Sequence, residues 1–274
     1  MTAIDTTTRD DVARLMARHV AKFATPISVP NPDGVSGRHW GTGNYLDLLG
    51  KTVLLTNEHV IRRRRTVDLT HMFHGLDDVY QIVGHHAEQP WPLDVAAVEL
   101  DGAAWTARPH HRAAPVPADR LALAHTPHDG EFLFVHGFAG ANSLFLGNTL
   151  KTDASNILCH EGRFPHDPKV DGRFHFAMDY RADLAETIDG LRGLPDPHGM
   201  SGSLVWNTCF KETAAAGGDW TPDRAYVTGL LWYFTDDKLV ATRIEHVRSC
   251  LLQFAEIRRA RRLAALAAAT GAEV

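Results

Sequence analysis

Short apolar runs, broken by polar or glycine-rich stretches, fill the middle of the chain, and helical periodicity marks both ends. Thr7-Thr8-Arg9-Asp10-Asp11 supplies a hydroxyl cap and first-turn acids, and Val12, Leu15, Met16, Val20 and Phe23 follow at helical spacing. This predicts a short amphipathic helix ending before Pro26. Strand-like runs follow at His39–Leu46, Thr52–Thr56, Val67–Leu69, Val79–Val83 and Val95–Leu100. After a proline-rich joint at Pro115–Asp119, further runs lie at Glu131–Gly140, Phe145–Lys151, Asn156–His160, Phe174–Tyr180, Leu204–Trp206 and Tyr226–Phe234. Ile244, Val247, Leu251, Phe254 and Leu266 give one apolar face to a long helix over Ile244–Ala269, while Arg258, Arg259, Arg261 and Arg262 crowd another.

Composition narrows the function. The net charge of −5 gives no overall basic signal for nucleic acid. The first residues, Met1 to Asp11, lack the apolar core of a signal peptide, and no later run is long enough to span a bilayer. Cys159, Cys209 and Cys250 are odd in number and far apart, which predicts three free, mostly buried thiols in a reducing, cytoplasmic setting. Among the seventeen histidines, His71/His74, His85/His86 and His110/His111 are the closest groups, and none has a companion Cys or acid at zinc spacing on an identifiable helix or knuckle. We expect no metal and no organic cofactor. The run Arg62–Arg65 reads as a solvated face following a strand, with binding of acidic substrate or nucleic acid as the alternative.

Three stretches carry chemistry. In Gly199-Met200-Ser201-Gly202-Ser203 a serine sits where glycines let the backbone turn sharply and aim successive N–H groups into one small space. His59 follows the apolar run Leu54-Leu55-Thr56, and Asp94 heads the run Val95–Leu100. A hydroxyl becomes a nucleophile when a base takes its proton, and the base works best with a carboxylate holding its ring.

On these residues the chain resembles the trypsin-like (chymotrypsin-fold) serine proteases, in their disulfide-poor bacterial and intracellular form. The order histidine, aspartate, serine, the Leu-Thr-x-x-His run, the Asp-Val-Ala-Ala-Val run and the Gly-Met-Ser-Gly-Ser turn all match. Serine, acid, histidine is the order of the α/β-hydrolases, which disfavours them. The resemblance implies an all-β fold of two six-stranded antiparallel β-barrels. Residues 27–117 and 118–242 would form the barrels, with an N-terminal helical extension at 1–26 and a C-terminal helix at 243–274. It implies His59, Asp94 and Ser201 as the catalytic triad of a serine endopeptidase, with the backbone N–H groups of Gly199 and Ser201 as the oxyanion hole. Pro195 would sit at the base of the specificity pocket, and Trp232, Tyr233 and Phe234 along the substrate channel. Pro195 replaces the aspartate that selects basic side chains in trypsin, and Phe234 stands where many members have glycine.

Family members activated by N-terminal cleavage bury the new terminus against an aspartate just before the serine. Met200 stands there, so that switch is not expected. The expected partners are a protein or peptide substrate and a regulatory protein acting through the terminal helices or the loop 181–197; neither nucleic acid nor membrane is expected. Two rival readings remain: a catalytically silent interaction module on the same fold, and an esterase using the same triad.

Overall fold

The N-terminal periodicity folds as α1 (Thr6–Val20), followed by a 3-10 turn to Phe23. The structure, a computed structural model, describes residues 6–31, 33, 36–107, 111–146, 149–181, 194 and 196–270. Next come β1 (Ala24–Pro30), β2 (Gly37–Asp47), β3 (Thr52–Thr56), the single-turn α2 (Glu58–Ile61), β4 (Thr70–Met72), β5 (Val79–Gln81), β6 (His86–Gln89), β7 (Val95–Glu99) and the short α3 (Gly102–Thr106). The second half holds β8 (Leu133–Leu146), β9 (Thr149–Cys159), β10 (His175–Asp179), β11 (Leu204–Asn207), α4 (Phe210–Ala215), β12 (Tyr226–Phe234), β13 (Lys238–Arg243) and α5 (Ile244–Thr270).

These strands make two antiparallel sheets, ordered β5-β4-β1-β2-β3-β7-β6 and β10-β13-β12-β11-β8-β9. The first has seven strands where six are expected, because His86–Gln89, read from sequence as part of a histidine cluster, pairs with β7. The run at Val67–Leu69 pairs three residues later, as Thr70–Met72. The run Phe145–Lys151 is split between the end of β8 and the start of β9. β1 begins at Ala24, inside the stretch expected as an N-terminal extension, and β13 runs directly into α5.

Alternation along the strands divides the apolar residues among three cores. Leu54 of β3 and Ala96 and Val98 of β7 face a core inside the first sheet, shared with Ile27, Tyr45 and Phe73. That one cluster draws on β1 and β7 alike, so the sheet curls on itself. Leu133, Val135 and Val205 face the corresponding core of the second sheet, with Phe176, Leu231 and Leu239. The alternate positions, Val53, Leu55, Val95, Ala97, Phe132, Phe134, Leu204 and Trp206, form a third cluster that joins the sheets.

Both helices close this joint: Val12, Met16 and Phe23 from the N-terminal side, Ile244, Val247, Cys250 and Phe254 from α5. Each such large side chain contributes about 1.5–3 kcal/mol by leaving water. The Pro115–Asp119 joint is tied down rather than loose: Val116 donates to Tyr45 O and accepts from Asp47 N. Among the described residues no helix is long and apolar enough to cross a membrane. All three cysteines are free and buried.

Candidate active site

β3 delivers His59 to the junction of the two sheets. The strand ends at Thr56, Asn57 stays extended, and the single turn of α2 raises the imidazole. Asp94, 4% exposed, stands at the head of β7 and grips His59 twice. Its Oδ1 accepts the His59 backbone N–H at 2.9 Å, and its Oδ2 lies 2.6 Å from His59 Nδ1. A carboxylate only accepts, so the proton sits on Nδ1 and Nε2 is left with its lone pair free.

Asp94 has φ +50, an uncommon conformation for a residue with a side chain. Its setting explains how it is held. Three successive carbonyls each accept from a side chain: Pro92 O from His175 Nε2 at 2.6 Å, Leu93 O from Thr242 Oγ1 at 2.7 Å, and Asp94 O from Asn57 Nδ2 at 2.7 Å. Two of the donors come from the second sheet. His175 Nδ1 accepts the Asp171 N–H at 3.0 Å, which fixes the tautomer with its proton on Nε2. Burial pushes the His175 pKa down, which keeps this ring neutral.

Ser201 lies in a turn stitched between β2 and β12. Thr42 N donates to Ser201 O at 2.8 Å, Gly202 N donates to Leu231 O at 2.8 Å, and Asn44 Nδ2 donates to Gly202 O at 2.6 Å. Gly202, at φ +92, is forced: a Cβ there would stand 2.0 Å from Thr42 O. A Cβ at Gly41 would touch Val60 at 2.9 Å and Ser201 O at 3.5 Å, so the serine turn packs within a side chain's width of the residue after His59. The Ser201 hydroxyl donates to Trp232 O at 3.5 Å, and among the described residues no hydrogen bond joins it to His59.

The turn also frees two N–H groups. His198 O accepts from Gly140 N at 2.8 Å, and Met200 O accepts from Ser203 N at 3.0 Å and Ser203 Oγ at 2.6 Å. In a trans peptide the N–H points opposite to the carbonyl. The N–H groups of Gly199 and Ser201 therefore point away from these anchors, and among the described residues neither has an acceptor. Gly199, at φ +95, has its own carbonyl held by Thr42 Oγ1 at 3.0 Å and His39 Nε2 at 3.1 Å. Burial lowers the His39 pKa despite that bond.

Beyond Leu231 the strand β12 outruns its neighbour β11, whose pairing ends at Leu204–Leu230. A bulge at Trp232 turns its carbonyl to Ser201. Trp232 stacks on Tyr233 at 5.1 Å and lies 4.9 Å from the His175 ring. Tyr233 donates to Asp167 Oδ2 at 3.0 Å, and Phe234 meets the His198 imidazole edge-to-face at 4.7 Å. Asp196 pairs with His198, whose backbone N–H and ring hold that carboxyl below the usual range. Pro195, and most of the loop 181–197, lie outside the described residues.

The structure thus joins His59 to Asp94, sets Ser201 beside them with its hydroxyl turned to Trp232, and lines one flank with Trp232, Tyr233 and Phe234. Sequence reasoning missed Thr42, Asn44, Asn57, His175 and Thr242. Each is a polar residue inside or next to an apolar run, buried and hydrogen-bonded here, and that was the signal for them. Of the close histidine groups, His71 bonds the Tyr45 hydroxyl and His111 stacks on Phe73, while His110 lies outside the described residues. Among the described residues no three histidines, cysteines or acids are grouped to hold a metal ion.

No known family's sequence profile matches the chain, and no curated protein matches it in sequence. Solved structures do match. The Rv3671c protease from M. tuberculosis, in its active form, aligns with a TM-score of 0.50 at 17% identity, over 92% of this chain and 87% of that one. The fold is trypsin-like. A human pathogenic astrovirus serine protease aligns at 15% identity with a TM-score of 0.42, over 81% of this chain and 90% of its own. A chain from a study of the Sesbania mosaic virus VPg protein aligns at 12% with a TM-score of 0.43, over 81% and 87%. At such identities the likeness extends to the fold alone.

Proposed function

We propose that the protein is a serine endopeptidase that works through an acyl-enzyme. Ser201 attacks the scissile carbonyl, His59 Nε2 takes the proton and returns it to the leaving amine, and Asp94 orients the ring and stabilises its charged form. The N–H groups of Gly199 and Ser201 hold the developing oxyanion, each worth about 3 kcal/mol at the transition state. The single observation that carries this reading is the buried Asp94 on His59 Nδ1 at 2.6 Å, beside a serine turn with two N–H groups that have no acceptor among the described residues. An extended peptide adds as a strand along Trp232–Phe234, on the edge of β12 that runs past the end of its pairing with β11 and faces away from β13. The three free thiols support a reducing, cytoplasmic setting.

The hydroxyl turned to Trp232 O favours a second element of the reading: a resting state that a ligand or regulatory partner completes by rotating Ser201 toward His59. The terminal helices and the loop 181–197 are the proposed handles for such a partner.

The test is labelling by a fluorophosphonate, with Ser201→Ala alongside, and a peptide-library assay. Labelling lost in the variant and cleavage of peptides are expected. Cleavage of small esters without peptides reassigns the site to an esterase. A folded chain that neither labels nor cleaves, with or without peptide ligands, overturns the enzyme reading in favour of a silent module.

A further inference from the structure

Four arginines in a row after His59 read from sequence as a solvated face; Arg62 and Arg65 are exposed, and three of the four have a partner. Arg62 pairs with Glu58 at 3.6 Å, Arg64 donates to Gly84 O at 3.0 Å, and Arg65 pairs with Glu88. Arg63 differs. Its guanidinium lies 5.5 Å from the Trp40 ring centre, and its Nε is buried without a hydrogen-bond partner. Arg38 lies over the same indole at 5.3 Å. Among the described residues no carboxylate pairs with Arg38 or Arg63, so two cations share one aromatic ring with no counter-charge.

The place of this pair decides what it does. Trp40 Nε1 donates to Val60 O at 3.2 Å, one residue past His59. Trp40 is also two residues before Thr42, which holds the Ser201 carbonyl. The serine turn is stitched to β12 on one side and to β2 on the other. A peptide lying along Trp232–Phe234 with its scissile carbonyl at Ser201 therefore keeps its acyl half over β12. Its leaving half continues across Gly41 toward Trp40.

Resting on the peptidase reading, we infer that Arg38, Trp40 and Arg63 form a cationic site for the leaving half of the substrate. It selects peptides with an Asp or Glu shortly after the scissile bond. A carboxylate there supplies the missing counter-charge to the two guanidinium groups beside a low-dielectric indole face, where a charge pair gains more than in open water. A Lys at the same place meets two like charges.

Two experiments test this. In the first, matched peptides with Glu, Gln or Lys at each of the first three positions after the scissile bond are cleaved by the wild type and by Arg38→Gln/Arg63→Gln. Glu is expected to exceed Lys in kcat/KM by about tenfold at one of these positions, with the advantage fading as salt is raised. The double variant is expected to reduce the Glu-to-Lys ratio to near unity. In the second, the Ser201→Ala protein is titrated with an uncleaved Glu-rich peptide, its Gln counterpart and a single-stranded oligonucleotide, all fluorescently labelled. Preferential binding of the Glu peptide, lost on adding Arg38→Gln/Arg63→Gln, is expected. The second experiment reads the cationic site even if no peptide is cleaved, so failure of the peptidase reading is separable. Equal binding of Glu and Gln peptides, or tighter binding of the oligonucleotide, overturns the inference, as does a Glu-to-Lys ratio unaffected by the double variant.

Discussion

His175 Nε2 lies 2.6 Å from the carbonyl oxygen of Pro92, so a histidine of the second sheet holds the segment that carries Asp94 in the first. The same ring lies 4.9 Å from that of Trp232, whose carbonyl receives the Ser201 hydroxyl. Asp94 and Ser201 are thereby referenced to one side chain. His175→Phe keeps the ring shape and leaves Pro92 O without its donor, at a cost of about 1–3 kcal/mol in stability. The expected outcome is a fall in kcat of tenfold or more with KM little changed, since Asp94 then holds His59 less well. His175→Gln, which can still donate to Pro92 O, is expected to recover most of the loss. Steady-state kinetics on both variants, with urea unfolding as the stability control, check this. Equal kcat in wild type and His175→Phe would sink it.

Gly199→Ala isolates the proposed oxyanion loop. At φ +95 any Cβ is strained, and here it would stand 2.4 Å from His39 Cδ2 and 2.5 Å from His39 Nε2. The loop must shift, and with it both the His39 bond and the Gly199 N–H. A loss of about a hundredfold in kcat/KM is expected, comparable to removing one oxyanion donor. Peptide hydrolysis measures it, and the melting temperature checks that the rest of the fold survives.

The sequence made the site legible where chemistry comes in runs. His59, Asp94 and Ser201 each sit at the end of an apolar strand, and that pattern is visible in one dimension. So is the first part of the α5 periodicity, because Ile244, Val247, Leu251 and Phe254 share one buried face, while Leu266, expected on that face, is exposed because the end of the helix runs past the core. What the sequence hid is pairing. β6 contains His86, Glu88 and Gln89, has little strand propensity of its own, and exists because β7 supplies a partner edge. Thr242 and His175 lie far from Asp94 in the chain and reach its loop only when the two sheets dock. The division of Val53, Leu54 and Leu55 between two cores was equally hidden, since a run buried on both faces shows no alternation.

Two buried histidines make stability pH-dependent. Burial pushes His71 down to about 4, and does the same to His136 despite its bond to Asn156. Both folded-state values lie below the unfolded value near 6.5. Between pH 6.5 and about 4 the unfolded chain therefore binds more protons, and stability falls as pH falls through that window. Each group contributes a slope of about 1.4 kcal/mol per pH unit there. Urea midpoints at about pH 7 and about pH 5 are expected to show the loss, and His136→Gln to flatten it. A variant with an undiminished slope would remove His136 from the account.

Glu131 offers the last test, of how the second sheet is braced behind the serine. It is 2% exposed, and its carboxylate accepts from Phe132 N at 2.8 Å, Lys211 N at 2.9 Å, Glu212 N at 3.1 Å and Thr208 Oγ1 at 3.1 Å. Two of these donors, Lys211 N and Glu212 N, lie in the first turn of α4, whose own N-cap residue, Cys209, has φ +53 and makes no side-chain cap bond. A residue just before β8 thus caps a helix across eighty positions of chain, as the Lys211 contact records. Glu131→Ala strands several buried donors together and is expected to cost about 3 kcal/mol or more. Glu131→Gln keeps one acceptor oxygen and is expected to cost about half as much. Because α4 lies on the far side of β11 from the Ser201 turn in sequence, the labelling rate of the folded fraction is expected to hold in both variants. Urea denaturation and fluorophosphonate labelling of the same samples decide it: a Glu131→Ala protein as stable as the wild type would show that α4 is capped by another group.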